Sequence, residues 1–343
     1  MIRVMKHAAY ALSIFALVLF SLTAGAQKKK TDNLQKPMAG PRATALRITW
    51  LYVAPDQSSQ KVDRVQIGRE MVVAEHSGPW MRVYANTDIQ LEHEGPDTPW
   101  IGSPDSTPPP VSGWIEAKGV VVESTPNGDQ ILMGEAANEE ALASDPRGPA
   151  NAAKSARLLY RRAVEMFPNS PLAAEAAWRA ADIQWQIQKA DSASRPSAKE
   201  RDPYMREQMD EDEMKKVLKF YPHTRQADFA AYEMLDNKLC GDWQGQEKCP
   251  EKEAEIYEKY AAEHPDGPRT AEALYEATYR QAVLADMFSA DGNDNKSNEA
   301  RQRAKELAGR LKDKFPQTDY AGRASALAFR IDQGITVYGI DRQ

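Results

Sequence analysis

Four times in the second half of the chain an aromatic residue or histidine is followed by proline: Phe167-Pro168, Tyr221-Pro222, His264-Pro265 and Phe315-Pro316. Proline has no amide hydrogen and disfavours the α conformation in the residue before it, so each pair ends a helix. Two residues later stand Ser170, Thr224, Gly267 and Thr318, residue types suited to helix N-caps. Pro171 and Pro268 then fall where a first helical position is expected, and a missing N–H costs nothing there. Each pair therefore predicts a helix–turn–helix unit. The agreement continues into the helices. The fifth residue after each proline is Ala173, Ala227, Thr270 or Ala321, and the eighth is Ala176, Ala230, Ala273 or Ala324. Small residues three apart make a smooth face for a partner helix. Larger wedges, Trp178, Tyr232 and Tyr275, follow at the tenth position, with Ala326 in the last unit. In the preceding helices Tyr160, Val164 and Phe167 recur as Met214, Leu218 and Tyr221, the spacing of one buried stripe.

A lone hairpin of this kind cannot bury both faces, so neighbours must stack, and the expected product is a right-handed superhelix with a concave groove. The other reading is a helical bundle that uses proline turns. Residues 151–338 resemble periplasmic tetratricopeptide proteins carrying the signature F-P-x-S-x-x-A-x-x-A. Relatives of that type are the outer-membrane barrel-assembly lipoprotein and the Tol–Pal-associated coordinator of cell-wall synthesis. The resemblance implies a binding scaffold and no chemistry. This chain departs from it in the long inserts at 186–206 and 286–298 and in lacking a lipid-bearing cysteine.

Residues 44–123 have a different texture. Short apolar stretches at Leu46 to Ile48, Leu51 to Val53, Val62 to Ile67, Glu70 to Ala74 and Trp80 to Tyr84 are separated by Gly68 and by Ser77, Gly78 and Pro79. Met81 and Val83 alternate with Arg82 and Tyr84, the period of a half-buried strand. Gly113, Trp114 and Ile115, then Val120 to Val122, offer a last strand pair. The three stretches from Val62 to Tyr84 and this last pair make five short strands without helical periodicity, which imply a small all-β barrel. The motifs Leu51-Tyr52-Val53-Ala54-Pro55, Gly78-Pro79-Trp80-Met81-Arg82-Val83 and Gly113-Trp114-Ile115 resemble those of bacterial SH3-like domains. The insertion at 85–112 holds Pro96, Pro99, Pro104 and Pro108 to Pro110 and reads as an extended loop. Trp80 and Trp114 are candidates for stacking on a ligand; at these positions of the family they are also wall-packing residues. Residues 124–150 read as a linker with one short helix at Glu135 to Ala143, ended by Pro146.

The N-terminus follows an export pattern. Arg3 and Lys6 precede the apolar run from Ala8 to Leu22, and Ala24-Gly25-Ala26 supplies the small residues a signal peptidase needs. Residues 1–26 are thus expected to be a signal peptide cleaved before Gln27, with an uncleaved anchor as the alternative. Because Gln27 is not cysteine, no lipid anchor is expected. Residues 27–43 read as a flexible linker. The mature chain is then periplasmic or secreted. Cys240 and Cys249, the two cysteines of the chain, are expected to form a disulfide in that oxidising setting, against the alternative of two free thiols.

The formal charge is −6 and no basic stripe stands out, which argues against nucleic-acid binding through phosphate contacts. His76, His93, His223 and His264 are scattered outside any metal-ligand spacing, and no nucleophile–base constellation, P-loop or dinucleotide motif is present. Asp291-Gly292-Asn293-Asp294-Asn295 begins like a calcium loop, but Lys296 and Gln302 stand where that loop needs glycine and glutamate. No enzyme activity, metal or cofactor is expected. The expected function is an exported, non-catalytic scaffold or adaptor of the cell envelope, binding protein partners through the repeats. The SH3-like domain would contact cell wall, with peptidoglycan as a candidate ligand, or a second protein. The alternative is an accessory subunit of a cell-wall hydrolase or of an outer-membrane assembly complex. The groove is expected to draw on the first helices, at 151–166, 206–219, 251–263 and 301–314. Arg157, Arg161 and Arg162 make the first of these basic, while Glu207, Asp210, Glu211 and Glu213 make the second acidic. That split sign would select an extended partner of complementary charge; the plainer reading is a solvated surface.

Overall fold

The computed structural model describes residues 40–88 and 110–338. The signal peptide, most of the 27–43 linker and residues 89–109 of the proline-rich insertion lie outside the described residues.

The first part is an antiparallel sheet of seven strands: β1 (Arg42–Ala45), β2 (Thr49–Tyr52), β3 (Lys61–Val65), β4 (Glu70–Ser77), β5 (Trp80–Ala85), β6 (Val111–Glu116) and β7 (Val120–Val122). Their order is β3-β2-β6-β5-β4-β1-β7. Along β5 the alternation is regular: Met81, Val83 and Ala85 are buried while Trp80, Arg82 and Tyr84 face the other way. Leu51, Val65, Met71, Val73 and Ile115 complete the same core. Three expectations are corrected. The sheet has seven strands where five were read. Its hydrogen-bonded order is open among the described residues, with β3 and β7 at the edges, where a closed barrel was expected. The first strand is Arg42–Ala45, partly inside the expected linker, because Ala43 and Ala45 are small enough to be fully buried between β4 and β7. Leu46, Arg47 and Ile48 form the connection to β2 instead of a strand, and Ile48 is exposed. The insertion is also shorter than read, since Ala85 closes β5 and Val111 and Ser112 open β6.

The rest is helical: α1 (Gly128–Ser144), α2 (Ala152–Met166), α3 (Ala173–Ser194), α4 (Asp212–Phe220), α5 (Arg225–Glu233), α6 (Lys248–Glu263), α7 (Thr270–Ala290), α8 (Asp294–Lys314) and α9 (Asp319–Asp332). From α2 onward they form four hairpins, α2–α3, α4–α5, α6–α7 and α8–α9. The aromatic or histidine residue before each proline ends its helix in nearly the same way. Phe167, Tyr221, His264 and Phe315 all have φ between −129° and −122° and ψ between 50° and 61°. This is the departure from α geometry that the following proline ring enforces. The small residues at the fifth and eighth positions are all buried. The wedges reach the next hairpin. Trp178 stacks on Phe229 at 5.3 Å, Tyr232 packs against Tyr260 at 5.2 Å, and Tyr275 against Tyr320 at 5.8 Å. Ala326, which no hairpin follows among the described residues, is exposed. Fixed positions in each unit thus make the contacts between units, which is the property of a helical repeat.

The starts of the second helices differ from expectation. Thr224 and Thr318 are side-chain N-caps, accepting from the amides of Ala227 and Ala321. Where Pro171 and Pro268 follow, an extra turn intervenes and the helices begin at Ala173 and Thr270. Ser170 accepts from the Leu172 amide within that turn, and neither proline occupies a first helical position. The inserts are largely helix as well. α3 runs on to Ser194, and α7 and α8 are separated only by Asp291, Gly292 and Asn293, with Asn293 capping α8. The helix expected at Glu135 to Ala143 is longer, beginning at Gly128 and packing on α2. Leu132 and Ala136 join Val121 of β7, Leu159 of α2 and Ala176 of α3 in one core, with Leu46 and Ile67 packed against it. Sheet and first hairpin are therefore continuous, and residues 124–150 are structured throughout.

Candidate functional site

The first helices of hairpins one and two, α2 and α4, stand apart, and α3 packs against both. Between them is a groove of about 480 Å³. Val164 comes from α2, Ala177 and Ala180 from α3, and Val217 and Phe220 from α4; Pro168 and Tyr221 of the two proline turns complete the apolar surface. The local sequence explains the shape. Met214 and Val217 point α4 into the core, each 1% exposed, and helical spacing then turns Phe220 outward, where it is 63% exposed. Ala177 and Ala180 are too small to fill the space opposite. Burial pushes the Tyr221 hydroxyl above its ordinary pKa. The polar groups of the groove are Arg161, Glu165, Glu213 and Lys216.

The three arginines singled out in the sequence have three different fates. Arg161 lines the groove, with its guanidinium 3.5 Å from Glu165. Arg157 bonds to Glu213 of α4 at 2.7 Å. The basic first helix and the acidic second one therefore meet each other, and this much of their charge is neutralised inside the protein. Arg162 contradicts the expectation of a surface contact. It is 1% exposed, pairing with Glu70 at 2.7 Å, with Glu165 at 2.8 Å and with Asp88 at 3.5 Å, because its side chain turns from α2 into the sheet. The same cross-pairing joins α6 and α8, where Arg303 bonds to Glu258 at 3.3 Å.

A second concavity, of about 350 Å³, draws mainly on the second helices, with Gln186 and Lys189 of α3, Glu233 of α5, Arg269 just before α7 and Glu276 within it. The groove was expected on the first helices; this second concavity lies mainly on the second ones. Its cations are already engaged, Lys189 with Asp236 at 2.5 Å and Arg269 with Glu272 at 2.7 Å. Burial, reinforced by Asp236 and Asp182, holds the Glu233 carboxyl above the usual carboxylate range.

Trp80 and Trp114 sit half-buried on the face of the sheet opposite its core. Tyr52 lies opposite Trp114 across the β2–β6 pair and meets Trp80 edge-on at 5.6 Å. The sequence reading missed Tyr52, although its alternation with the buried Leu51 carried the signal. Cys240 and Cys249 are joined, with an S–S distance of 2.14 Å. His264 bonds to Asp228 at 2.7 Å and stacks on Tyr260. Among the described residues no group of histidine, cysteine and carboxylate side chains could hold a metal ion, and no helix is long and apolar enough to cross a membrane.

No family model and no curated protein matches the sequence. Solved structures similar to it include the de novo designed helical repeat protein DHR64, at 16% identity, a TM-score of 0.22, and coverage of 60% of this chain and 94% of the design. The DHF58 filament is similar at 17% identity and a TM-score of 0.22, covering 60% of this chain and 91% of the other.

Proposed function

We propose that this chain is an exported, non-catalytic adaptor of the bacterial cell envelope, and that it holds a segment of a partner protein in the groove between α2 and α4. On this reading the hairpins are tetratricopeptide-like. The sheet is SH3-like and contacts cell wall or a second protein through the face that carries Tyr52, Trp80 and Trp114. The observation that carries the reading is Phe220, a phenylalanine 63% exposed beside an apolar groove of about 480 Å³. An exposed aromatic side chain contributes little to folding and much to association, where burying it removes apolar surface from water and anchors the partner. The small floor residues Ala177 and Ala180 leave room for a side chain from outside.

The test is site-specific photo-crosslinking in the native cell. A photoreactive residue replacing Lys216 on the groove should give a discrete adduct that Phe220→Asp abolishes. The same residue replacing Lys312, exposed on the last hairpin, should give none. Adducts of equal yield at both positions, or an adduct indifferent to Phe220→Asp, would show that the groove holds no specific partner.

A further inference from the structure

Away from the groove, the segment that follows α3 and the loop that precedes α6 come together. The amides of Gly241 and Asp242 donate to the carbonyls of Glu200 and Lys199 at 3.1 and 3.3 Å. The approach requires glycine, because a Cβ at Gly241 would lie 2.4 Å from the Glu200 carbonyl oxygen. The Cys240–Cys249 bridge then ties this loop to the first turn of α6. A cleft of about 270 Å³ results, with Arg201 and Tyr204 on one wall, Lys248 and Lys252 on the other, and both cysteines between them.

The charge of this cleft is unusual for a chain of net charge −6. Arg201, Lys248 and Lys252 converge on it, and none forms an ion pair with a carboxylate among the described residues; Arg201 donates instead to the side chain of Gln246. Asp202, the acidic residue of the lining, accepts from the Tyr204 amide at 3.0 Å. Elsewhere the repeats pair their cations across helices, as with Arg157 and Glu213. Here three positive charges face one another with no such partner, an arrangement that an incoming carboxylate relieves. Beside them Tyr204 is 83% exposed and Met205 66% exposed, with the Lys252 ammonium 5.7 Å from the Tyr204 ring. The apolar patch decides the class of ligand. A soluble polyanion would use the cations and leave Tyr204 and Met205 idle, and a flat lipid surface cannot enter a cleft of about 270 Å³, whereas an acidic peptide with an aromatic or aliphatic side chain uses both cations and apolar patch.

We propose that this cleft is a second docking site, for an acidic segment of a partner protein that carries a carboxylate next to an apolar side chain. It is independent of the α2–α4 groove. The test uses the full chain and a short, end-capped fluorescent peptide alternating glutamate with phenylalanine, followed by anisotropy at low salt. Saturable binding is expected. Lys248→Glu combined with Lys252→Glu should weaken it by about tenfold or more, since reversed charges repel what they had attracted. Tyr204→Ala should weaken it several-fold, and Phe220→Asp should leave it unchanged. Both lysines and Tyr204 are exposed, and an unchanged helical circular dichroism spectrum confirms that the variants fold. Undiminished binding by the charge-reversed chain overturns the proposal, as does the absence of saturable binding. So does the third result: indifference to Tyr204→Ala together with equal competition by polyglutamate and by anionic lipid vesicles, which makes the patch a general polyanion surface.

Discussion

The Arg162 guanidinium touches three carboxylates supplied by different parts of the chain: Glu70 from β4, Asp88 beyond β5, and Glu165 one turn along its own helix. Glu70 also accepts from the Thr87 hydroxyl at 2.7 Å, and Asp88 is fully buried. A charge so placed has been removed from water and is tolerable only while its counter-charges stay. Removing the cation strands the carboxylates, so Arg162→Ala should destabilise the fold by about 3–5 kcal/mol. Arg157→Ala, which opens a partly exposed pair, should cost about 1 kcal/mol or less. Equilibrium urea denaturation measures both. A loss near 1 kcal/mol for Arg162 would mean that its carboxylates remain solvated after the change. In sequence the two arginines look alike, as exposed positive charge on a helix. Only the sheet that packs against α2 separates them, and that packing depends on residues ninety or so positions earlier.

At the scale of the element, each hairpin is a short piece of local chemistry repeated four times, which is why so much of it was legible. An aromatic or histidine before proline has few backbone choices, so the helix end can be read from two residues. The buried alanines follow from their fixed distance to that end. Less legible was the start of the second helix, where Ser170 and Thr224 stand at equivalent positions but only Thr224 is an N-cap. The added Pro171 delays the helix, and the competing hydrogen bond within the turn is not encoded by the cap residue alone. The open sheet was less legible still. Ala43 and Ala45 carry no strand signal of their own and become a strand because β4 and β7 bury them. Where the cap was read correctly it can be weighed. Thr224→Ala and Thr318→Ala should each cost about 1 kcal/mol, because the amides of Ala227 and Ala321 lose their acceptor. Thr224→Ser should restore most of that stability. Thermal unfolding of the three variants separates loss of the cap from loss of the methyl group: a serine variant as weak as the alanine one would assign the effect to packing.

For the molecule as a whole, the question is whether sheet and repeats unfold together. Two separate cores bear on it. One joins Leu46, Ile67 and Val121 to α1, α2 and α3, while another is built from α6 to α9 with Tyr232 and Leu235. Gly68 sits at the first of these, in a left-handed conformation with φ 77°, and its amide donates to the Ala45 carbonyl. A Cβ added there would lie 2.6 Å from the Cβ of Leu158 and 3.0 Å from the Leu159 amide nitrogen. Gly68→Ala therefore combines backbone strain with a clash against a helix that cannot yield without moving the sheet, at a cost of roughly 2–3 kcal/mol. Repeat proteins distribute such a cost unevenly, because each unit is held chiefly by its neighbours. Hydrogen exchange should accelerate across the sheet, α1 and α2, fall off through α4 and α5, and leave α7 to α9 unchanged. Uniform acceleration through α9 would instead make the chain one cooperative block, in which a ligand bound between α2 and α4 stabilises the last hairpin as much as the first. Unaltered exchange in the sheet would show that the contact between Gly68 and Leu158 holds nothing together. The graded outcome fits the proposed adaptor role best, since it would let the α2–α4 groove and the distal hairpins respond to different partners without unfolding one another.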